Sequence, residues 1–249
     1  MCLVVFALHV HPDFPLVVLA NRDEYYARPS APAQPFAEAP EIFGGRDLQS
    51  GGTWLAVSAA GRFAAVTNFR SPLAVRSGRS RGTLVREALQ PHADPASWAQ
   101  GIDRPLYPSF NLLLGDRHEL FYTHDCSEGV KRLTGGVHGL SNARLDEPWP
   151  KVRRASARLL QLLDAPTLEL EAAFAILADR APAPDSELPD TGVPLALERQ
   201  LSAAFIALPG YGTRASTVVL AHRDGRWRFA ERTFGEGGLP TGATDVWLP

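Results

Sequence analysis

The chain has 249 residues, of which 45% are hydrophobic and 9% aromatic, so it can bury the core of one large domain or of two small ones. A formal net charge of −2 gives no electrostatic case for binding nucleic acid or an anionic membrane, and a small molecule or a protein is the expected partner. Its two cysteines, Cys2 and Cys126, are too few for a disulfide-stapled secreted scaffold and fit the reducing cytoplasm, and no apolar run of about 18 residues predicts an integral membrane segment.

The first 24 residues predict a β-hairpin. Two apolar, β-branched runs, residues 2–10 and 16–20, flank the turn-forming sequence His-Pro-Asp-Phe-Pro. If Val10 pairs with Leu16, Cys2 lies opposite Glu24, and a slip of one or two residues places it opposite Asp23 or Arg22. The hairpin therefore predicts a thiol beside an arginine–aspartate pair.

Prolines and glycines dominate the next segment. The Pro/Ala-rich stretch 29–40 predicts an extended surface connection, because its prolines are incompatible with a long helix or a central strand. Paired glycines in residues 44–52 predict a turn-rich stretch near the site. A second hairpin is expected over residues 53–58 and 62–68, and it places Asn68 at its open end.

The middle of the chain mixes short helices and strands. Residues 82–89 predict a helix, and Asp94 followed by Pro95 predicts the capped start of another. Four short apolar runs predict an antiparallel meander over residues 110–116, 119–123, 130–133 and 136–142.

Helical spacing of apolar residues begins at Trp149, and the basic residues between them, from Lys151 to Arg158, are interpreted as a solvated helix face. Thr167 or Asp164 can cap a further helix. The loop over residues 182–194 is interpreted as a surface loop rather than a lid, and residues 196–206 predict a short helix. Strands are then expected over residues 216–222 and 227–234. This segregation of strands and helices favours antiparallel sheets covered by helix layers.

Cys2 has a special position in the chain. Methionine aminopeptidases remove an initiator Met that precedes a small side chain, so loss of Met1 would give Cys2 a free α-amine beside its thiol. Such amines have an ordinary pKa of about 7.7–8.0, near enough to neutrality for the amine to act as the base that activates its own nucleophile. The alternative is a small buried residue at a strand start.

Polar residues recur at the ends of predicted strands. They are Cys2, Arg22, Asp23, Asn68, Asn142 and Arg214. Acyl transfer needs a nucleophile, a proton acceptor and donors aimed at a developing oxyanion, and this set supplies all three. Any one of them could be a turn residue, a strand cap or a surface ion pair, but their joint occurrence favours a catalytic site.

Six short motifs run from one end of the chain to the other: Met1-Cys2-Leu3, Asn21-Arg22-Asp23-Glu24, Gly51-Gly52-Thr53-Trp54-Leu55, Thr67-Asn68-Phe69-Arg70, Leu140-Ser141-Asn142 and Tyr211-Gly212-Thr213-Arg214-Ala215-Ser216-Thr217. Together they resemble the NRDE family, also called the transport and Golgi organisation protein 2 family, which takes its first name from the second motif. Because the motifs span the chain, we expect a single domain over residues 1–249.

That family resembles a branch of the N-terminal-nucleophile hydrolases, which implies an α+β fold, a four-layer αββα sandwich of two antiparallel sheets. Its pattern is similar to that of penicillin V acylases and bile salt hydrolases. The resemblance implies Cys2 as nucleophile, Asp23 holding the α-amine and Arg22 near the thiolate. It further implies Asn68 and Asn142 as the oxyanion and amine contacts.

Arg214 would be a further charge partner in that scheme. One departure concerns the arginine and the aspartate, which several residues separate in those acylases. Here Arg22 and Asp23 are adjacent, and a regular strand would point them to opposite faces.

Two functional hypotheses follow. The first is a cysteine N-terminal-nucleophile amidohydrolase acting on a small amide or acyl compound. The second is a non-enzymatic carrier of a hydrophobic ligand such as lipid or haem, because eukaryotic relatives are associated with membrane traffic, lipid metabolism and haem handling. An open apolar groove lined by Tyr26, Trp54 and Phe69 would favour the carrier. His9 and His11 share a strand face, but no third ligand is apparent, so neither a metal nor a cofactor is expected.

Overall fold

The structure is a computed structural model that describes residues 2–70, 77–90, 94–165 and 167–249. Within these residues, two antiparallel sheets of seven strands each form the centre of the molecule. The strands are β1 (Cys2–Leu8), β2 (Leu16–Tyr25), β3 (Ser30–Phe36), β4 (Ala39–Asp47), β5 (Leu55–Ser58), β6 (Arg62–Asn68), β7 (Phe110–Asp116), β8 (Leu120–His124), β9 (Lys131–Arg132), β10 (Gly136–Leu140), β11 (Ala207–Leu208), β12 (Tyr211–Ala221), β13 (Trp227–Phe234) and β14 (Pro240–Leu248). The helices are α1 (Gly82–Ala88), α2 (Pro95–Gln100), α3 (Pro150–Leu163), α4 (Leu170–Leu177) and α5 (Leu195–Leu201).

The strand order of the first sheet is β10-β1-β2-β12-β13-β14, with β11 paired to β12, and that of the second is β3-β4-β5-β6-β7-β8-β9. One apolar cluster, with Phe6, Val18 and Phe63 among its members, fills the space between the two sheets. A second cluster packs α3 and α4 on the outer face of the first sheet, and a third packs α1 and α2 on the outer face of the second. The predicted αββα sandwich of two antiparallel sheets is confirmed. Within the described residues, no helix is long and apolar enough to cross a membrane.

The N-terminal hairpin forms as predicted, with a register that decides the position of the thiol. Leu8 pairs with Leu16 and Cys2 with Arg22, a slip of two residues from a pairing of Val10 with Leu16. His9 causes the slip, because it adopts a φ of 54° and donates its main-chain N–H to the Pro15 carbonyl at 2.7 Å. Of the three predicted registers, the structure has the one that sets Cys2 directly opposite Arg22.

The Pro/Ala-rich segment is a strand and not only a connection. Most of it forms β3, at the edge of the second sheet, and its pairing with β4 is interrupted between Ala31 and Gln34 and again at Pro35. An edge strand tolerates prolines because one side of it needs no ladder hydrogen bonds. Gly44 also lies within a strand rather than a turn, and the strand needs glycine there because a Cβ would come within 2.6 Å of the Leu55 carbonyl oxygen.

Two further strands depart from the expected arrangement. The fourth strand of the expected meander, β10, leaves β9 and pairs with β1 in the other sheet. This crossing carries Ser141 and Asn142, which follow β10, to the start of β1. No strand was expected after residue 234, yet β14 pairs along the whole of β13 and closes the first sheet.

Helix α3 has the predicted apolar stripe, but its basic residues do not all face solvent. Arg153 and Arg158 are exposed, as expected for a solvated face. Lys151 is buried, with 2% of its surface exposed, so the interpretation of the whole basic run as solvated is wrong at this position. Its place follows from helical geometry, because Lys151 lies one turn before Ala155 and two before Leu159 on the buried stripe.

Glu231 makes the stability of the fold depend on pH. Its carboxylate lies between the sheets and accepts hydrogen bonds from the Ala33 main-chain nitrogen at 2.7 Å and the Thr217 hydroxyl at 3.2 Å. Burial raises the pKa of Glu231 to about 7, and these two hydrogen bonds only partly oppose that rise. The stabilising contribution of the protonated form is therefore fully present below pH ~4.5 and is lost as the pH rises through about 7.

We expect Glu231→Gln to raise the free energy of unfolding by about 3 kcal/mol at pH 8 and to change it little at pH 4.5. Glutamine keeps an acceptor for Ala33 and carries no charge to desolvate. Urea unfolding of both proteins at the two pH values measures the difference, and Glu41→Gln, at an exposed position, is the matched control. An equal gain at both pH values would show that the charge of Glu231 is not the cause.

Candidate active site

A polar cavity of about 270 Å³ opens where β1, β2 and β6 meet. Its lining includes Cys2, Arg22, Arg28, Asp47, Asn68 and Arg81. Cys2 lies on the same face of its strand as Phe6, so its side chain points into the space between the sheets. The cavity therefore gives the thiol access from solvent at the open edge of the sandwich.

Asn142 joins the start of β1 to the end of β6. Its Oδ1 accepts a hydrogen bond from the main-chain nitrogen of Cys2 at 3.3 Å, and its Nδ2 donates to the carbonyl of Asn68 at 2.9 Å. The hydroxyl of Ser141 donates to the Cys2 carbonyl at 2.8 Å. The nitrogen that would become the α-amine thus has an acceptor fixed by a side chain that is 1% exposed.

Arg22 lies on the thiol side of β2, opposite Cys2. Its Nη2 is 3.6 Å from Asp47 and 4.0 Å from Glu24, and its guanidinium carbon lies 4.4 Å from the ring centre of Trp54. Burial lowers the pKa of Arg22, and the charges of Glu24, Cys2 and Asp47 oppose that change. A cation held in this way stabilises a thiolate.

Asp23 occupies the opposite face of the same strand, as a regular strand requires. Its Oδ1 accepts from the Thr213 hydroxyl at 2.7 Å, and its carbonyl accepts from the Tyr211 hydroxyl at 3.2 Å. Burial raises the pKa of Asp23, and Lys151 is the strongest opposing charge. Asp23 therefore belongs to a buried polar group on the helix side of the sheet, close to the strand end that carries Cys2.

Lys151 was missed as a site residue by the sequence interpretation. Its Nζ has no hydrogen-bond partner within the described residues, although the side chain is almost completely buried. Burial lowers the pKa of Lys151, whereas the charges of Asp23, Cys2 and Glu198 raise it and that of Arg70 lowers it. An ammonium without a partner is costly to bury, so this lysine needs an explanation beyond packing.

Arg81 is a second site residue that the sequence did not single out. It lines the cavity, and its Nη1 donates to the Ser109 carbonyl at 3.2 Å. Burial lowers the pKa of Arg81, and the charges of Cys2 and Glu24 oppose this most strongly. Two guanidinium groups, those of Arg22 and Arg81, therefore act on the charge of Cys2.

Arg214 lies outside the cavity that contains Cys2. Its Nη1 donates to the carbonyls of Tyr25, Tyr26 and Arg28 at 3.0, 3.2 and 3.0 Å, and so it fixes the chain after β2. It lines a neighbouring cavity of about 250 Å³, which shares only Trp54 with the first. The sequence placed Arg214 among the charges of the site, whereas its hydrogen bonds are to the backbone.

Of the three aromatic residues expected to bind substrate, only Trp54 lines the cavity beside Cys2. Tyr26 lies under the guanidinium of Arg214, and the main-chain nitrogen of Phe69 donates to the Ser109 carbonyl. Cys126 is exposed on the loop after β8, and partial burial together with Asp125 raises its pKa. Among the described residues, no group of three or more His, Cys, Asp or Glu side chains could hold a metal ion.

Comparison with known proteins gives one family and one fold. Residues 1–236 match the family described as Transport and Golgi organisation 2. The chain is 32% identical to the Transport and Golgi organization protein 2 homolog of Homo sapiens over 256 residues, 94% of this chain and 93% of the human protein. It is 26% identical to the Drosophila melanogaster protein over 264 residues, 94% and 92% of the two chains. Among solved structures, a mutant conjugated bile acid hydrolase from Clostridium perfringens is similar with a TM-score of 0.54 and 8% identity, over 99% of this chain and 92% of that chain, a likeness of fold alone.

Proposed function

The chain belongs to the Transport and Golgi organisation 2 family, and from that membership and the geometry around Cys2 we propose that it is a cysteine N-terminal-nucleophile amidohydrolase acting on a small amide or acyl compound. The solved structure to which the fold is similar is a hydrolase of conjugated bile acid by its title. A reduced thiol is required for the reaction, which fits a cytoplasmic protein.

One observation carries the proposal: the side-chain amide of Asn142 accepts a hydrogen bond from the nitrogen of Cys2. A buried asparagine that only ended a strand would have no need to face that nitrogen. Here it fixes the position of the group that must act as the base, while the thiol of the same residue faces a solvent-accessible cavity beside Arg22. Base, nucleophile and cation are thus held together, which is the arrangement that activates an N-terminal nucleophile.

In the proposed reaction, the α-amine of Cys2 takes the thiol proton and the thiolate attacks the substrate carbonyl carbon. The side-chain amide of Asn68, which lines the cavity, donates to the oxyanion that forms. The carbonyl re-forms as the C–N bond breaks, and the departing amine takes the proton from the α-ammonium group. Water then hydrolyses the thioester and restores the thiol. Asp23 and Lys151, buried on the helix side, set the electrostatic field in which the α-amine gains and loses its proton.

The carrier hypothesis receives less support from the cavity at Cys2. An apolar groove of Tyr26, Trp54 and Phe69 would favour it, but only Trp54 lines this cavity and Arg22 covers its ring. A separate, more apolar groove of about 740 Å³ lies at the other side of the first sheet, lined by Phe174, Phe205 and Phe234 among others. This groove shares no lining residue with the cavity at Cys2. A ligand bound there would therefore leave Cys2 and the Asn21-Arg22-Asp23-Glu24 motif without a function.

The proposal predicts the state and the reactivity of the N-terminus. Protein made in cells should lack Met1, and Cys2 should react with iodoacetamide at pH 7 at least about tenfold faster than Cys126. Intact mass and the masses of the two cysteine peptides give both results. Protein unfolded in urea is the control, because any excess rate at Cys2 that remains there comes from its own α-amine and not from the folded site. Full retention of Met1, or equal rates in the folded protein, would refute the proposed mechanism.

A further inference from the structure

The arginines around Cys2 are not all balanced by carboxylates. Arg28 contacts Asp47 at 2.7 Å and lies 3.7 Å from Glu24, and Arg22 lies 3.6 and 4.0 Å from the same two groups. These two arginines and two carboxylates therefore neutralise one another. All four residues line the cavity, and together they contribute no net charge to it.

Among the other charged residues of the cavity lining, one cation has no ion-pair partner within the described residues. Asp23 has its carboxylate on the helix side, where Thr213 holds it. Arg79 is exposed and pairs with Glu87 at 3.6 Å. Arg81 forms no ion pair with any carboxylate of the described residues, and the remaining positions of the sequence, 1, 71–76, 91–93 and 166, contain no Asp or Glu.

Arg81 is also built into the cavity and does not project from the surface. Its only hydrogen bond within the described residues is the one from Nη1 to the Ser109 carbonyl, which orients the guanidinium. Its other N–H groups have no acceptor among those residues. Its charge acts on that of Cys2. The charges of Glu24 and Asp125 act on Arg81, but no carboxylate of the described residues forms an ion pair with it. A cation so placed, in a cavity of about 270 Å³ beside Cys2, is complementary to an anionic group of a ligand.

We propose that Arg81 binds a carboxylate of the substrate, so that the compound cleaved at Cys2 is a small amide or acyl compound with a carboxylate near the scissile carbonyl. This inference rests on the proposed function. A single guanidinium that forms no ion pair within the described residues matches the single charge and the planar, two-oxygen face of a carboxylate better than the double charge of a phosphate. The specificity of the site is then a selection for anionic substrates.

Two alkylating reagents of nearly equal size test this selection without a known substrate. Iodoacetate carries a carboxylate where iodoacetamide carries a neutral amide, and both lose iodide to a thiolate. We expect the ratio of the iodoacetate to the iodoacetamide rate constant to be about tenfold higher at Cys2 than at Cys126, since a cation raises the local concentration of an anion. In Arg81→Gln the ratio at Cys2 should fall by about tenfold, whereas Arg81→Lys, which keeps the charge without the fork, should have an intermediate ratio.

The matched control is Arg79→Gln, which removes a charge from the same cavity lining at an exposed, paired position. Its ratio at Cys2 should stay within about twofold of that of the wild type. An unchanged ratio in Arg81→Gln, or an equal fall in Arg79→Gln, would overturn the assignment to Arg81. Slow alkylation of Cys2 by both reagents with the ratio preserved would contradict the proposed nucleophile instead, so the two failures can be told apart. Thermal unfolding of each variant shows whether the cavity is intact, and Arg81→Lys carries the test if Arg81→Gln does not fold.

Discussion

Replacement of Asn142 by alanine is expected to slow acylation of Cys2 by about 10²-fold, with only a moderate loss of stability. The side chain holds the main-chain nitrogen of Cys2 through Oδ1 and the Asn68 carbonyl through Nδ2. Without it, the α-amine has no fixed orientation towards the thiol, and the end of β6 that carries Asn68 loses a hydrogen bond. The burst of p-nitrophenolate on mixing with p-nitrophenyl acetate measures the acylation rate.

Stability separates this role from a structural one. The Asn68 carbonyl would lose a buried donor, which should cost about 1–3 kcal/mol and lower the melting temperature by several degrees. Ser141→Ala is the matched control, because it removes the neighbouring hydrogen bond to the Cys2 carbonyl and leaves the nitrogen held. A lowered melting temperature with an unchanged acylation rate would show that Asn142 only supports the fold, and would shift support to the carrier hypothesis.

Asn142→Asp distinguishes the two halves of the amide. Aspartate keeps an acceptor for the α-amine but cannot donate to the Asn68 carbonyl, and its charge would stabilise the protonated amine. The variant should therefore be slow at pH 7 and recover part of its rate at higher pH, whereas Asn142→Ala should not. Rates at pH 7 and pH 9 compare them directly.

The parts of the site that the sequence predicted are those fixed by local pairing. The hairpin follows from two apolar runs and a short turn, and any register within two residues brings Cys2 to the NRDE motif. The second hairpin likewise fixes Asn68, since the predicted pair of strands forms, with Val57 opposite Phe63. Strand geometry alone predicts that Arg22 and Asp23 lie on opposite faces of β2. In the structure, Arg22 faces the cavity beside Cys2, and Asp23 is buried on the helix side of the sheet.

The parts that the sequence did not predict depend on contacts between distant segments. Asn142 reaches Cys2 only because β10 crosses to the other sheet, and no local pattern distinguishes that pairing from a meander. Arg81 lies in a polar loop, and its access to Cys2 depends on how that loop packs on the sandwich. The burial of Lys151 could have been predicted from the sequence. Its spacing to Ala155 and Leu159 places it on the buried stripe of α3, unlike its exposed basic neighbours.

Lys151→Met is expected to slow acylation of Cys2 at pH 7 by about tenfold or more and to move the midpoint of the rate–pH profile upward by about one unit. The lysine is the strongest charge that opposes the rise in the pKa of buried Asp23, and it also acts on Cys2. Without this positive charge, the protonated α-amine loses a nearby repulsion, so the protonated form of the amine is favoured. The amine must be neutral to accept the thiol proton, so a higher pKa of the amine moves the rise in rate to higher pH.

The effect of Lys151→Met on stability should be small beside its effect on rate. Removal of an almost fully buried ammonium that has no hydrogen-bond partner among the described residues relieves a desolvation cost, and loss of its attraction to Asp23 opposes that gain. Methionine is apolar and of similar length, so the packing of α3 on β1 can remain. Arg153→Met is the matched control, since it removes an exposed basic residue from the same helix and should leave the profile unchanged. An unshifted midpoint in Lys151→Met, measured with p-nitrophenyl acetate from pH 5 to 9, would exclude the lysine from the proton transfer at Cys2 and leave the α-amine under the control of Asn142 and Asp23 alone.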